Sequence, residues 1–329
     1  MSELSRKNGI LPAELLCAPV AAASYVCAIM FSLQSGHSPL SIFLGSAAIL
    51  AIFFLLQMHI RNRDSLTGGT ILLTLLILYS SSRPGLLSFC GGHISTILIA
   101  AALYLSSTGS KNRSRDVEAE VAALITAASF ATPPLIWLLP AYIIHSLSGT
   151  RNIISAAAGT AGAVITFIIA GSLLFLTGGI ESLSNSSALY LSDITGITTY
   201  ECSFRGWKTV ESAVFLTVIL ATLIRYTMYR TKANAAEAAI SGSAGIIICA
   251  SLALTFMFSG EFENHLILLT LTMSAFLLSV LATIDGEKAF AGILMIMLAA
   301  SAAIAIASDF FPEMDNVFSY ICNPASLWK

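Results

Sequence analysis

The sequence predicts an all-α protein, a polytopic transmembrane helical bundle of about eleven spans with a cytoplasmic N-terminus and an outside C-terminus. Three observations predict it. The 329 residues are 56% hydrophobic and only 10% charged, with mean hydropathy +0.85, whereas soluble domains carry about 25% charged residues. The apolar runs last roughly 15 to 25 residues without alternating, which fits helices and not a membrane barrel. Lys and Arg gather on one side of the expected spans.

Counting about 20 apolar residues per span places helices near 10–33, 40–60, 67–82, 90–108, 117–131, 134–148, 153–178, 210–230, 237–259, 266–283 and 288–307. The first follows Arg6 and Lys7. Ala18 to Ser24 looks like a cleavage region, but the apolar run continues to Leu33, long for a signal peptide. Residues 10–33 are therefore read as a retained span. The pieces at 67–82, 117–131 and 134–148 are short. Fifteen helical residues rise about 22 Å, less than the roughly 30 Å hydrocarbon core. No linker rich in Pro or in Gly/Ser divides the chain, so residues 1–329 are read as one membrane domain.

Val117 to Ser148 decides the topology. The stretch is almost free of charge after Glu120 and is broken by Pro133-Pro134. Read as two elements, it leaves Arg6, Lys7, Arg61, Arg63, Lys111, Arg113, Arg115, Arg151, Arg225, Arg230, Lys232 and Lys288 inside, and Arg83, Arg205, Lys208 and Lys329 outside, 12 against 4. Read as one long span, the split falls to 10 against 6. The positive-inside rule favours a pair turning at Thr132-Pro133-Pro134. Two full passes and a re-entrant hairpin give the same count.

The longest polar stretch, residues 178–209, is expected outside. Tyr190, Tyr200 and Trp207 suit a loop on the bilayer surface. A sharper reading makes it a lid, with Asp193, Glu201, Arg205 and Lys208 as polar contacts. The tail, residues 308–329, is also placed outside. Cys17, Cys27 and Cys249 lie within spans as packing residues. Cys90, Cys202 and Cys322 fall at the outer surface, where one disulfide is permitted, and Cys202–Cys322 is the expected pair. The cysteine spacing is not read as a structural zinc site, and neither a metal nor any other cofactor is expected.

Chemistry-bearing residues are scarce. The net charge of −2 suggests no nucleic-acid partner. GxSxG, Walker-type, HExxH and GxGxxG motifs are missing from the sequence, which lowers soluble-type hydrolysis and ATP-driven transport. The spans hold no mid-membrane acids of the kind that proton-coupled transport uses. Asp193, Glu261 and Glu263 are the candidate catalytic acids. Arg83, His93, Arg205, Trp207, Pro133 and Pro134 are the candidate binding residues. His93 follows Gly91-Gly92, where backbone can approach closely. The two prolines expose helix ends that become the best-placed polar site if the turn lies inside the membrane.

One layout is familiar. A span ends in ALYLSS (102–107), followed by the basic loop KNRSRD (111–116). The helix AALITAASFATPP (122–134) comes next, then LIWLLPAYIIHSL (135–147), an Arg-containing turn and a Gly/Ala-rich span. This quarter of the chain resembles uncharacterised multi-spanning inner-membrane proteins of Bacteroidetes. More distantly it is similar to C-type glycosyltransferases, which use lipid-linked sugars and carry a catalytic acid in the first outer loop. Here that loop is QSGHSPL, Gln34 to Leu40, with no acid.

The expected function is a lipid- or partner-binding component of envelope assembly in the bacterial inner membrane, with the question of catalysis left open and the missing first-loop acid weighing against it. Its expected partners are membrane lipids, a polyprenyl-linked sugar or an envelope protein. The alternatives are an outer-face glycosyltransferase and a small-molecule transporter.

Overall fold

The computed structural model describes residues 12–60, 66–82, 86–108, 115–148, 153–196, 207–230, 235–258, 263–282, 284 and 286–310. These residues form helices and turns, with no strand among them. The helices are α1 (Pro12–Gln34), α2 (Pro39–Ile60), α3 (Leu66–Ser82), α4 (Gly91–Thr108), α5 (Arg115–Ala131), a 3-10 turn (Pro133–Trp137), α6 (Leu138–Ser148), α7 (Ile153–Thr195), α8 (Trp207–Arg230), α9 (Ala235–Met257), α10 (Glu263–Ala282) and α11 (Lys288–Phe310). Every expected helical segment is present. α11 runs on to Phe310, past the expected start of the tail.

α10 is the centre. Residues 266–279 are all buried, and α3, α4, α8, α9 and α11 pack around it. Its polar residues Thr270, Thr272 and Ser274 each donate to the carbonyl four residues back. A helix surrounded by protein carries no polar face, so its hydroxyls are satisfied within the helix itself.

The peripheral helices are built the other way round. α1 buries Cys17, Ala21, Ser24 and Ala28 and exposes Leu15, Leu16, Val26, Met30 and Leu33. α7 buries Gly159, Gly162 and Ala163 and exposes Ile165, Ile168, Ile169 and Leu173. Small residues face protein and large apolar ones face outward, as in helices packed within lipid. Among the described residues, three helices are long and apolar enough to cross a membrane: Leu15–Gln34, Pro39–Met58 and Ile153–Thr195.

α5 and α7 cross closely. A Cβ on Gly162 would lie 2.2 Å from the Ala119 carbonyl oxygen, so only glycine fits. At α8, the Arg225 Nε donates to Glu287 Oε2 at 2.8 Å, and its guanidinium lies over Phe290. Arg225 is 44% exposed, so solvent screens the pair and it adds little to stability.

Residues 178–209 do not form the expected surface loop throughout. α7 bends at Gly179 (φ 68, ψ −164), a left-handed conformation that favours glycine. A straight helix would separate residues 167 and 190 by about 35 Å. Instead the rings of Phe167 and Tyr190 are 6.0 Å apart, and Leu183 Cδ1 lies 3.7 Å from the Cβ position of Gly171. Residues 180–195 therefore fold back along residues 153–178 as a helical hairpin.

Candidate functional site

The Pro133 end of the α5–α6 hairpin gathers most of the described polar chemistry. Thr132 leaves the helical region (φ −144, ψ 88), and Pro133 and Pro134 start the 3-10 turn, where missing backbone donors cost nothing. Both prolines are buried. The chain then reverses: Tyr142 on α6 hydrogen-bonds to Glu118 on α5. The expected pair of short elements is thus present, with residues 115 and 148 returned to the same end.

α4 supplies the next layer. Its N-terminus is preceded by Leu86–Cys90, a segment docked on α2. The Phe89 amide lies 3.0 Å from the Ser41 carbonyl and 3.1 Å from its Oγ. A Cβ on Gly45 would stand 2.1 Å from the Leu87 oxygen, so glycine permits that docking. The Cys90 amide donates to His93 Nδ1 at 3.3 Å, and the Cys90 thiol lies 3.4 Å from the same nitrogen. Nδ1 is thus an acceptor, which places the proton of the neutral ring on Nε2. Phe89 stacks on the imidazole with centroids 5.8 Å apart. Burial pushes the Cys90 thiol above its usual pKa, against backbone hydrogen bonds from Gly92 and His93 that lower it.

A run of hydroxyls continues from α4 across α5. Ser95 Oγ is 2.8 Å from Thr132 Oγ1 and 3.1 Å from the Ala128 carbonyl. Ser129 donates to the Thr126 carbonyl at 2.7 Å. Its proton is thereby used, so the Tyr190 hydroxyl, 2.7 Å away, donates to Ser129 Oγ. Around that bond stand three rings. Phe130 and Phe167 meet edge to face at 5.3 Å, and Tyr190 lies 5.9 Å from Phe130 and 6.0 Å from Phe167.

Among the expected site residues, His93, Pro133 and Pro134 are in this region, all buried. Asp193 is one turn beyond Tyr190 on the returning helix and half-buried. Glu263 and Trp207 are the first residues of α10 and α8. Arg83, Glu261 and Arg205 lie outside the described residues, as do Cys202 and Cys322. Cys90 is a free thiol, which removes it from the expected disulfide set. Among the described residues, no group of three or more His, Cys, Asp or Glu could hold a metal ion.

Sequence reasoning misses two pairings. Cys90-Gly91-Gly92-His93 is a C-x2-H spacing, visible in the sequence and easily passed over beside a lone-His reading. Glu118–Tyr142 joins residues 24 apart and leaves no local signal. No family model matches the sequence, and neither a curated protein nor a solved structure is significantly similar to it.

Proposed function

We propose that the chain is a multi-pass protein of the bacterial inner membrane, with about eleven spans, a cytoplasmic N-terminus and an outside C-terminus. It binds membrane lipid, or an envelope protein, at the Pro133 end of the bundle, as a component of envelope assembly and not as an enzyme. The observation that carries this reading is the Ser129–Tyr190 hydrogen bond set among Phe130, Phe167 and Tyr190. Half-open ring surface there adjoins a helix whose outward face is apolar, a setting in which a lipid chain can pack. Lipid mass spectrometry of the purified protein tests it. Retained lipid in the wild type, reduced when Tyr190 and Phe130 are replaced by Ala, is the expected result. A protein that carries no lipid contradicts it.

The topology has a separate test. Cysteine tags at Ser110 and Ser184 should label from opposite sides, and same-side labelling sinks the proposed arrangement. A second reading, the lipid-linked-sugar glycosyltransferase, draws on Asp193, which the returning helix places one turn from Tyr190. A co-purifying polyprenyl phosphate sugar would raise it above the first.

A further inference from the structure

The Pro133-Pro134 turn leaves the end of α5 short of backbone donors. In a continuous helix the carbonyls of Ser129, Phe130 and Ala131 accept from the amides of residues 133, 134 and 135. Pro133 and Pro134 have no amide hydrogen, and the Leu135 amide donates to the Thr132 carbonyl instead, at 3.0 Å. The Ala128 carbonyl, one residue earlier, is met by the Thr132 amide at 3.1 Å. The prolines open the 3-10 turn at no cost to it, but they withhold the donors that α5 needs. Ser129 is fully buried, so its carbonyl does not reach bulk water. A buried carbonyl is costly to leave without a partner.

Further oxygen atoms gather at the same end. Ser95 Oγ on α4 lies 2.8 Å from Thr132 Oγ1 and 3.1 Å from the Ala128 carbonyl, and both side chains are buried. α5, α6, α7 and α9 pack on the 3-10 turn. Neither these helices nor α4 carry Lys or Arg, apart from Arg115 at the opposite end of α5. The last carbonyls of a helix hold the negative end of its dipole, and the helices around this one supply no basic side chain to answer it. Ends of broken helices with this character coordinate alkali ions in membrane proteins. The carbonyls and hydroxyls are neutral, which suits a single positive charge, whereas divalent ions are ordinarily held by carboxylates.

We propose that the carbonyl oxygens of Ser129, Phe130 and Ala131, with the hydroxyls of Thr132 and Ser95, form a site for one alkali cation. Na+ and K+ share the chemistry. The bound ion supplies what the two prolines withhold and fastens the α5–α6 turn. It does not require the ring surface of Phe130 and Phe167, so it stands apart from the lipid-binding reading.

The test unfolds the purified full-length protein by heat in detergent, in NaCl, KCl or choline chloride of equal ionic strength. The wild type should gain a few degrees in unfolding temperature, saturably, in at least one alkali salt. A radiolabelled form of the stabilising ion should be retained at one per chain. Thr132→Val, which keeps the shape but removes the hydroxyl, should weaken binding about tenfold, and Thr132→Ser should preserve it. Pro133→Ala restores an amide that can donate to the Ser129 carbonyl. It should remove most of the salt dependence without lowering stability in choline chloride.

Equal unfolding temperatures in all three salts, with no ion retained, overturn the site and leave ordered water as the partner of those carbonyls. A salt effect that survives unchanged in both Thr132→Val and Pro133→Ala places the cation elsewhere in the chain and overturns it too. Where Thr132→Val does not fold, the comparison of Pro133→Ala with wild type decides.

Discussion

The Tyr142 hydroxyl lies 2.5 Å from Oε2 of Glu118 and donates to it. The two residues are both buried, and they stand on opposite arms of the Pro133-Pro134 turn. The bond ties α6 back onto the beginning of α5. Removing the donor of a buried hydrogen bond costs about 1–3 kcal/mol. Tyr142→Phe should therefore lower stability by roughly that amount, measured by thermal unfolding in detergent. A stability equal to wild type would show that packing alone holds the hairpin.

Ser129 and Tyr190 form the corresponding link for the returning helix. Ser129→Ala and Tyr190→Phe should each cost about 1 kcal/mol, the usual net value of a neutral hydrogen bond. The double variant should cost clearly less than the two together, because both remove the same bond. Full additivity in that cycle would place Tyr190 away from Ser129.

Two glycines give opposite forecasts. A Cβ on Gly162 meets the Ala119 backbone at 2.2 Å, whereas one on Gly245 meets nothing within 4 Å. Gly162→Ala should destabilise by about 1–3 kcal/mol or more, since backbone and not a flexible side chain must move. Gly245→Ala, inside α9, should stabilise by about 0.5–1 kcal/mol through helix propensity. Unfolding temperatures of the pair, read against wild type, decide it.

Gly179 makes a different demand. Its φ of 68° is unfavourable for an L-residue, although nothing stands within 4 Å of an added Cβ. Gly179→Ala should favour a continuous helix over the hairpin, at a cost of about 1–2 kcal/mol for keeping the bend. A spin-label pair at Leu183 and Gly171 should move apart in that variant. An unchanged distance would show that the contacts of residues 180–195 outweigh the backbone preference.

The Cys90 thiol should react slowly with maleimide near neutral pH. Its pKa lies above the usual thiol value because burial disfavours the thiolate. The thiolate is the nucleophile, so the rate should climb with pH and reach its midpoint above that of an unhindered thiol. Rapid modification at pH 7 would contradict the burial.

The helical segments and the hairpin at Thr132-Pro133-Pro134 are legible because each rests on neighbouring residues. Apolar run length, the missing proline donors and the placement of Arg115 and Arg151 are properties of short windows. The candidate site is legible only in fragments. His93 and the two prolines can be picked out, but their neighbours Ser95, Ser129 and Thr132 read as ordinary hydroxyls within apolar helices. Asp193 is nameable as an acid, yet its window suggests a surface loop.

What a window cannot show is where a chain goes after a bend. One glycine at positive φ sends residues 180–195 back along α7 and places Tyr190 beside Ser129, 61 residues away. Residues 180–195 are locally compatible with a loop, a surface helix or a returning helix. The choice comes from contacts that exist only after folding: Phe130 and Phe167 against Tyr190, Leu183 against Gly171, and a serine whose own proton is already taken. Composition and period are sums over neighbours, so they specify an all-helical apolar bundle. Which hydroxyls, rings and acids meet depends on long-range packing, and that packing alone assembles the site.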